Sequence, residues 1–340
     1  MTFGGKMMRR QIAGLLTLLT VSTFSTTAPA ETSTVRIAKQ FGISYLTLTV
    51  MEERKLIEKH AKQEGLDVKT EWLRFSAGSG MNEALLAGNL DFAAGGIPPL
   101  LTIWDKTQNN LKVKGVVGLN LMPYYLVTIN PKIKTIADFS PSDKIALPAI
   151  KTSIQAVVLQ MATEKQFGPG QQSKLDPFTV SMGHPDAMAA MLSGHTEINA
   201  HFGTEPFQTL ELKDKRTHMV LNSYDVVGGE HTNNILWATS KFVQANPKVT
   251  KAVVAAVRES EEMIKADPAG IAALWVKAEN SKMSVVDAEK IIRDPKNQWT
   301  TTPRGFLSIL QFMNKAGSIK TKATSITDIF FDDPSIADGN

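Results

Sequence analysis

The chain has 340 residues, 43% of them hydrophobic and 21% charged, with 37 Lys and Arg against 33 Asp and Glu for a formal charge of +4. It contains no cysteine, which excludes disulfides, thiolate metal sites and cysteine nucleophiles. Lys6, Arg9 and Arg10 are the only charged side chains before Glu31, so without residues 1–30 the charge falls from +4 to +1; that balance argues for neither nucleic acid nor an anionic membrane as a partner.

Residues 1–30 read as a secretory leader. The three basic groups precede an apolar stretch, Ile12 to Val21, and Ala28-Pro29-Ala30 forms an A-x-A cleavage site. The stretch is well short of the ~20 residues that span a bilayer, and the chain has no cysteine for a lipid to modify. The expectation is an exported protein, most simply periplasmic, with enough remaining chain for two lobes.

Thr34 to Ala38 predicts a first strand, followed by the turn Gln40-Phe41-Gly42 and a helix through Leu46, Val50, Ile57 and Ala61 that closes at Gly65. Val68 to Leu73 predicts a second strand, and Ser76 to Gly80 leads into a helix carrying Met81, Ala84 and Leu85. A third strand, Leu90 to Ala94, ends at Gly95-Gly96-Ile97-Pro98-Pro99, with Pro99 suited to the first position of the next helix. Val113 to Leu119 adds a strand. This alternation predicts an α/β protein whose lobes are mainly parallel sheets flanked by helices.

Tyr124 to Ile129 crosses into a second lobe, where Thr135-Ile136-Ala137-Asp138 has the form of a capping box. Lys144 to Pro148 is a strand, and Ser153 opens a helix with Ile154, Val157, Val158, Met161 and Ala162 on one stripe. Phe178 to Met182, Ile198 to Ala200 and His218 to Leu221 supply further strands, and Asn234 to Thr239 crosses back. From Lys241 the pattern is helical, with Pro247 and Pro268 near helix starts and an apolar Ile326 to Phe331 docked on the first lobe. The expected organisation is a leader over 1–30, lobe 1 over 31–123, lobe 2 over 124–232, and a crossover with C-terminal helices returning to lobe 1 over 233–340.

One pattern occurs in both lobes. Ala84 to Gly95 is echoed by Ala190 to His201: the end of a helix, a glycine (Gly88, Gly194), an acidic residue and a short apolar strand. Glycine just past the last apolar helical position is the expected left-handed stop. Two similar α/β units with facing strand ends make a cleft, the geometry of a binding protein.

Ala87-Gly88-Asn89-Leu90-Asp91-Phe92-Ala93, Ile133 to Phe139 followed by Lys144 to Pro148, and Asn234 to Phe242 ahead of Asn246-Pro247 resemble the periplasmic substrate-binding proteins of ABC importers in the nitrate, sulfonate and taurine group. The resemblance implies a two-lobed, type II-like periplasmic binding protein fold. It also implies a small anionic ligand trapped between closing lobes, delivery to permease transmembrane subunits with a cytoplasmic ATPase, a monomer, and no cofactor.

Ligands of open α/β sheets sit outside the carboxyl ends of strands, where helix N-termini offer unpaired N–H groups to anions. That rule selects Gln40, Phe41 and Tyr45 after the first strand, Ser79 and Gly80 after the second, and Gly96 and Ile97 after the third. In the second lobe it selects Thr152 and Ser153, small hydroxyl residues of the kind the resemblance implies at this junction. His201 aligns with Gly95 at a strand's carboxyl end, His184 occupies a comparable junction, and His231 lies near the return crossing. Phe202, with Phe41 and Tyr45, could stack on an aromatic ligand. The three histidines lack the close spacing of a metal site, while His60, His195 and His218 read as surface or structural.

Arg36 and Arg74 lie near strands and outside the cleft loops, which disfavours a ligand needing a bidentate salt bridge. Alternatives are a receptor for an aromatic acid or a thiamine-pyrimidine precursor, and a sensor using the same closed form. The same fold includes pyrimidine-synthase relatives with a cysteine-rich segment, from which this cysteine-free chain departs. It also shows no G-x-S-x-G, Walker or H-E-x-x-H motif, so no enzymatic activity is expected.

Overall fold

In the computed structural model, which describes residues 1–5 and 30–340, Val35 and Ile37 are fully buried along β1 (Thr34–Lys39), which pairs in parallel with β2 (Lys69–Arg74). The basic and apolar parts of the expected leader lie outside the described residues. Between the two strands the sequence predicts one helix, but the structure has two, α1 (Leu46–Glu53) and α2 (Leu56–Gln63). Lys55 takes a left-handed φ of 50° between them. The break lets α1 bury every residue from Leu46 to Met51, whereas α2 lays only Leu56, Ile57 and Ala61 inward; one straight helix would present a single stripe.

α3 (Gly78–Leu86), β3 (Ala93–Gly95), α4 (Ile97–Lys106) and β4 (Val113–Leu121) complete the first run. α4 begins two residues before Pro99, with Ile97 first. The chain then builds β5 (Tyr125–Thr128), β6 (Lys144–Leu147), α5 (Ile154–Phe167), β7 (Thr179–Ser181), α6 (His184–Ser193) and β8 (Ile198–Phe202). α7 (Phe207–Glu211), β9 (His218–Asn222) and α8 (Ser223–Val227) precede β10 (Thr232–Thr239). The helices α9 (Ser240–Ala245), α10 (Pro247–Ala266), α11 (Pro268–Ala278), α12 (Val285–Arg293) and α13 (Phe306–Lys315) follow, with Pro247 and Pro268 at the first positions of theirs. Both glycine stops are left-handed, Gly88 at φ 74° and Gly194 at φ 66°.

The strands form a β1–β2 pair, a β3–β10–β4 sheet and a β7–β6–β8–β5–β9 sheet. An isolated parallel bridge, Ile37 to Phe92, ties the pair to the segment entering β3. Pairing is parallel where helices connect strands, as in β6 with β7 and β8. β5 and β10 run antiparallel to both their neighbours. Each of these two enters its sheet from the opposite half of the chain and not through a same-side helical crossover, so the parallel constraint does not bind it. Thr232 pairs with Leu121 where the outgoing and returning segments meet. The apolar Ile326–Phe331 segment docks on β4, with Phe330 bridged to Gly115.

α10 lays Val249, Val253, Ala256 and Ile264 into the core of the first half, and Glu261 goes in with them, 5% exposed. Burial raises the Glu261 carboxyl to about 8, and its Oε1 has no hydrogen-bond partner among the described residues. A carboxyl held neutral in the fold contributes stability that is complete below its unfolded value near 4.5 and is lost as pH rises through about 8. Glu261→Gln is therefore expected to match the parent in melts at pH 4.5 and to exceed it by at least about 1 kcal/mol at pH 8.5. Parallel pH profiles for the two proteins would refute this.

Candidate functional site

Strand-to-helix junctions from both halves converge on one partly enclosed cavity of about 30 Å³. From the first half come Gln40 after β1, Ser44 and Tyr45 in the turn before α1, Gly78 and Ser79 opening α3, and Gly96 and Pro99 at α4. From the second come Pro148, Ala149, Thr152 and Ser153 between β6 and α5, Ile154 and Gln155 opening α5, and His184 at the start of α6. Tyr124, Thr204, Asn233 and Asn234 complete the lining. Among these described residues none is Lys, Arg, Asp or Glu.

The electrostatics therefore come from helix ends and neutral side chains. α3, α4, α5 and α6 all begin at the cavity, and of their N-caps (Ala77, Gly96, Ser153, Gly183) only Ser153 bonds its own helix. Uncapped first-turn N–H groups with partial positive charge suit an anion. Pro98 and Pro99 in α4 and Pro185 in α6 each remove a donor while leaving the helix dipole in place.

Asn120 Nδ2 and Asn234 Nδ2 both donate to the Ser44 carbonyl, at 2.6 and 3.0 Å, and pin the turn before α1. Ser44 itself is 1% exposed, and its Oγ has no hydrogen-bond partner among the described residues. Gln40 Nε2 donates to Tyr45 Oη at 2.7 Å, and the Tyr45 hydroxyl lies a long 3.5 Å from the Ala94 carbonyl. Tyr124 Oη donates to the Asn233 carbonyl at 2.9 Å. Burial raises both phenols above their ordinary range, so both keep their protons as donors. The Ser153 hydroxyl is engaged, donating to the Ala149 carbonyl at 2.8 Å and accepting from Ala156 N–H at 3.2 Å.

Behind the cavity wall His184 Nδ1 lies 2.8 Å from His201 Nε2, and His201 Nδ1 lies 2.5 Å from Glu211 Oε1. His184 Nε2 is 3.4 Å from Gln155 Nε2. Burial, reinforced by His201, pushes His184 well below the ordinary imidazole range. The ring is therefore neutral near pH 7 and presents either a lone pair or an N–H.

The structure brings seven of the residues singled out from sequence to this cavity: Gln40, Tyr45, Ser79, Gly96, Thr152, Ser153 and His184. Six lie elsewhere. Phe41 sits under Arg74 at 5.7 Å and lines a neighbouring apolar cavity with Pro185, Phe207 and Trp275. Gly80 faces Phe75, and the Ile97 side chain is in the core. His201 is a layer behind His184, and Phe202, next along β8, points to the opposite face, into the core. His231 is fully buried, stacked on Tyr124 at 5.6 Å and bonded to Ser223 Oγ at 2.8 Å. Arg36 and Arg74 are paired with Asp91 and Glu279. Sequence reasoning did not single out Ser44, Tyr124, Gln155, Thr204, Asn233 or Asn234. The consecutive Asn233-Asn234 in an otherwise apolar crossing strand is the one signal that pointed there.

Residues 28–276 match the NMT1-like family. The chain belongs to it. This NMT1-like chain is 26% identical over 252 residues to a protein of Escherichia coli (strain K12) named as an aliphatic sulfonates-binding protein, covering 73% of this chain and 72% of the other. Among solved structures, the alkanesulfonate-binding protein of Xanthomonas axonopodis pv. citri bound to MOPS superimposes with a TM-score of 0.66 at 15% identity, over 85% of this chain and 92% of its own. The periplasmic nitrate-binding protein of Synechocystis PCC 6803 gives 0.66 at 14% identity, over 88% and 84%. At those identities the likeness is one of fold, and the fold is that of the periplasmic binding proteins. Among the described residues of the NMT1-like chain, no helix is long and apolar enough to cross a membrane, and no group of three or more His, Asp or Glu is placed to hold a metal.

Proposed function

We propose that the chain is an exported solute receptor of an ABC importer that traps a small anion, of the sulfonate, taurine or nitrate kind, and delivers it to the permease. Residues 31–123 and 233–340 form one lobe, 124–232 the other, and the monomer closes over its ligand. The observation that carries this reading is the convergence of four helix N-termini and one buried, partnerless hydroxyl, that of Ser44, on a cavity without charged side chains. Fixed neutral donors hold an anion by replacing its water, with no buried countercharge to desolvate. The family and the names of its relatives point the same way.

A melting screen of residues 31–340 against ethanesulfonate, taurine, nitrate, benzoate and thiamine pyrimidine tests the class, since ligand at 100 times its dissociation constant adds ~2.7 kcal/mol. A shift with pyrimidine alone would replace the anion reading by the aromatic one. Ser44→Ala is expected to weaken the binding anion about tenfold while leaving the unliganded melt unchanged or slightly higher, because it removes a buried hydroxyl that nothing satisfies. Undiminished affinity would take Ser44 out of the site.

A further inference from the structure

The Gln155–His184–His201–Glu211 row has only its first two members at the cavity. We propose that His201 and Glu211 are positioning residues which couple capture of the anion to uptake of one proton, by setting whether His184 turns an N–H or a lone pair to the ligand. This rests on the anion reading above.

The geometry permits two proton arrangements. In both, the fully buried Glu211 is taken as a carboxylate that accepts the His201 Nδ1–H across 2.5 Å. In the first, His184 Nδ1–H donates to His201 Nε2 across 2.8 Å. His184 Nε2 is then a lone pair accepting from Gln155, and the row carries a net negative charge. In the second, a proton from solvent adds to His184 Nε2, and the Nδ1 proton passes to His201 Nε2. One N–H bond forms at the cavity, one breaks and one forms behind it, and the new positive charge rests on His201 beside the carboxylate. His184 stays neutral in both, in keeping with the burial that opposes charge on it. Only the second arrangement shows an anion a donor and a row of zero net charge, so an anion draws the row into it by taking up a proton.

The surroundings leave the row isolated. His201's neighbours across β5 and β6 are Val127 and Ala146. Phe207 stacks on His184 at 5.6 Å, and Asp186 of α6 is exposed. Glu205, ahead of α7, is engaged by Gln208 and Thr209 and raised to about 7 by burial. Asp214 and Arg216 beyond α7 pair with each other, and across the cavity Tyr45 keeps its proton. Among the described residues Glu211 Oε2 has no hydrogen-bond partner, and His201 is the side chain bonded to its Oε1.

Calorimetric titration of the protein with ethanesulfonate, and with nitrate as second probe, in buffers of different ionisation enthalpy reads the proton directly. The parent is expected to take up about one proton per anion above neutral pH and to lose affinity about tenfold per pH unit there. Glu211→Gln keeps the shape, and its amide can donate to His201 Nδ1, so both rings orient as donors without a proton. Its binding is expected to be independent of buffer and flat with pH. Nitrogen NMR of the two imidazoles in the parent should show both rings changing together as anion is added. Binding with a buffer-independent enthalpy in the parent, or His201 nitrogens that do not respond to anion, would overturn the coupling and leave the anion reading intact. Failure of both anions to bind would overturn the reading and the coupling with it.

Discussion

Replacing Gly96 with valine is expected to weaken anion binding at least a hundredfold, about 2.7 kcal/mol, without lowering the melting temperature of the unliganded protein. Gly96 caps α4 with φ −72° and ψ 173°, a backbone that any residue adopts, so the substitution strains nothing locally. The obstacle lies across the cavity, since a Cβ here would stand 3.0 Å from Ile154 Cγ2 and 3.1 Å from its Cβ. Ile154 is the first residue of α5, on the five-stranded half, so the two N-termini that line the site approach each other at this glycine. A valine props them apart and, in the proposed receptor, admits water between donors that close on the anion. Titration calorimetry gives the affinity, and solution scattering with saturating ethanesulfonate shows whether the radius of gyration still falls. If affinity and contraction both survive, Ile154 has turned aside and the contact does not limit closure.

Gly115→Val is expected to cost about 3 kcal/mol of stability and several degrees of melting temperature, with no change in affinity once folded. A Cβ at Gly115 would lie 2.5 to 2.9 Å from three atoms of the Phe330 ring. The ring cannot swing away. It is 2% exposed and packed edge-on to Phe306 at 5.0 Å. Its backbone is tied to β4 by Gly115 N–H donating to the Ile329 carbonyl at 3.0 Å and Phe331 N–H donating to the Gly115 carbonyl at 2.8 Å. Adding Phe330→Leu to Gly115→Val should recover part of the loss, whereas Phe330→Leu alone destabilises, so the cycle is expected to show at least about 1 kcal/mol of favourable coupling. Additive effects would mean that the valine acts through the β4 backbone and not through the ring.

The sequence carried the strand-to-helix junctions well, because each is written in local chemistry: an apolar run, then small or turn-forming residues, then a periodic helix. That is why Gln40, Ser79, Gly96, Thr152 and His184 could be picked out one at a time, and why Gly88 and Gly194 marked their helix ends. Strand direction was less legible. β5 and β10 have the apolar look of parallel strands because both faces are covered, yet they run against their neighbours for topological reasons. The side on which a strand residue emerges was also hidden. His201 and Phe202 occupy adjacent positions of β8 and point to opposite faces, and neither face is the cavity. Ser44 escaped notice because its role depends on Asn120 and Asn234, distant in sequence, which pin its carbonyl and leave the hydroxyl over.

A cavity that holds charge only as helix-end dipoles and neutral hydroxyls has a consequence for the medium in which it works. Formal charges at the mouth of a site attract an ion over a Debye length, and that attraction weakens as electrolyte rises. The lining from Gln40 to Asn234 contributes no such long-range pull of its own. In the proposed receptor, affinity is set by donors that act only at contact. Anion recognition of the proposed kind should lose little to Debye screening, and the electrolyte that weakens it is an anion that fits the same donors.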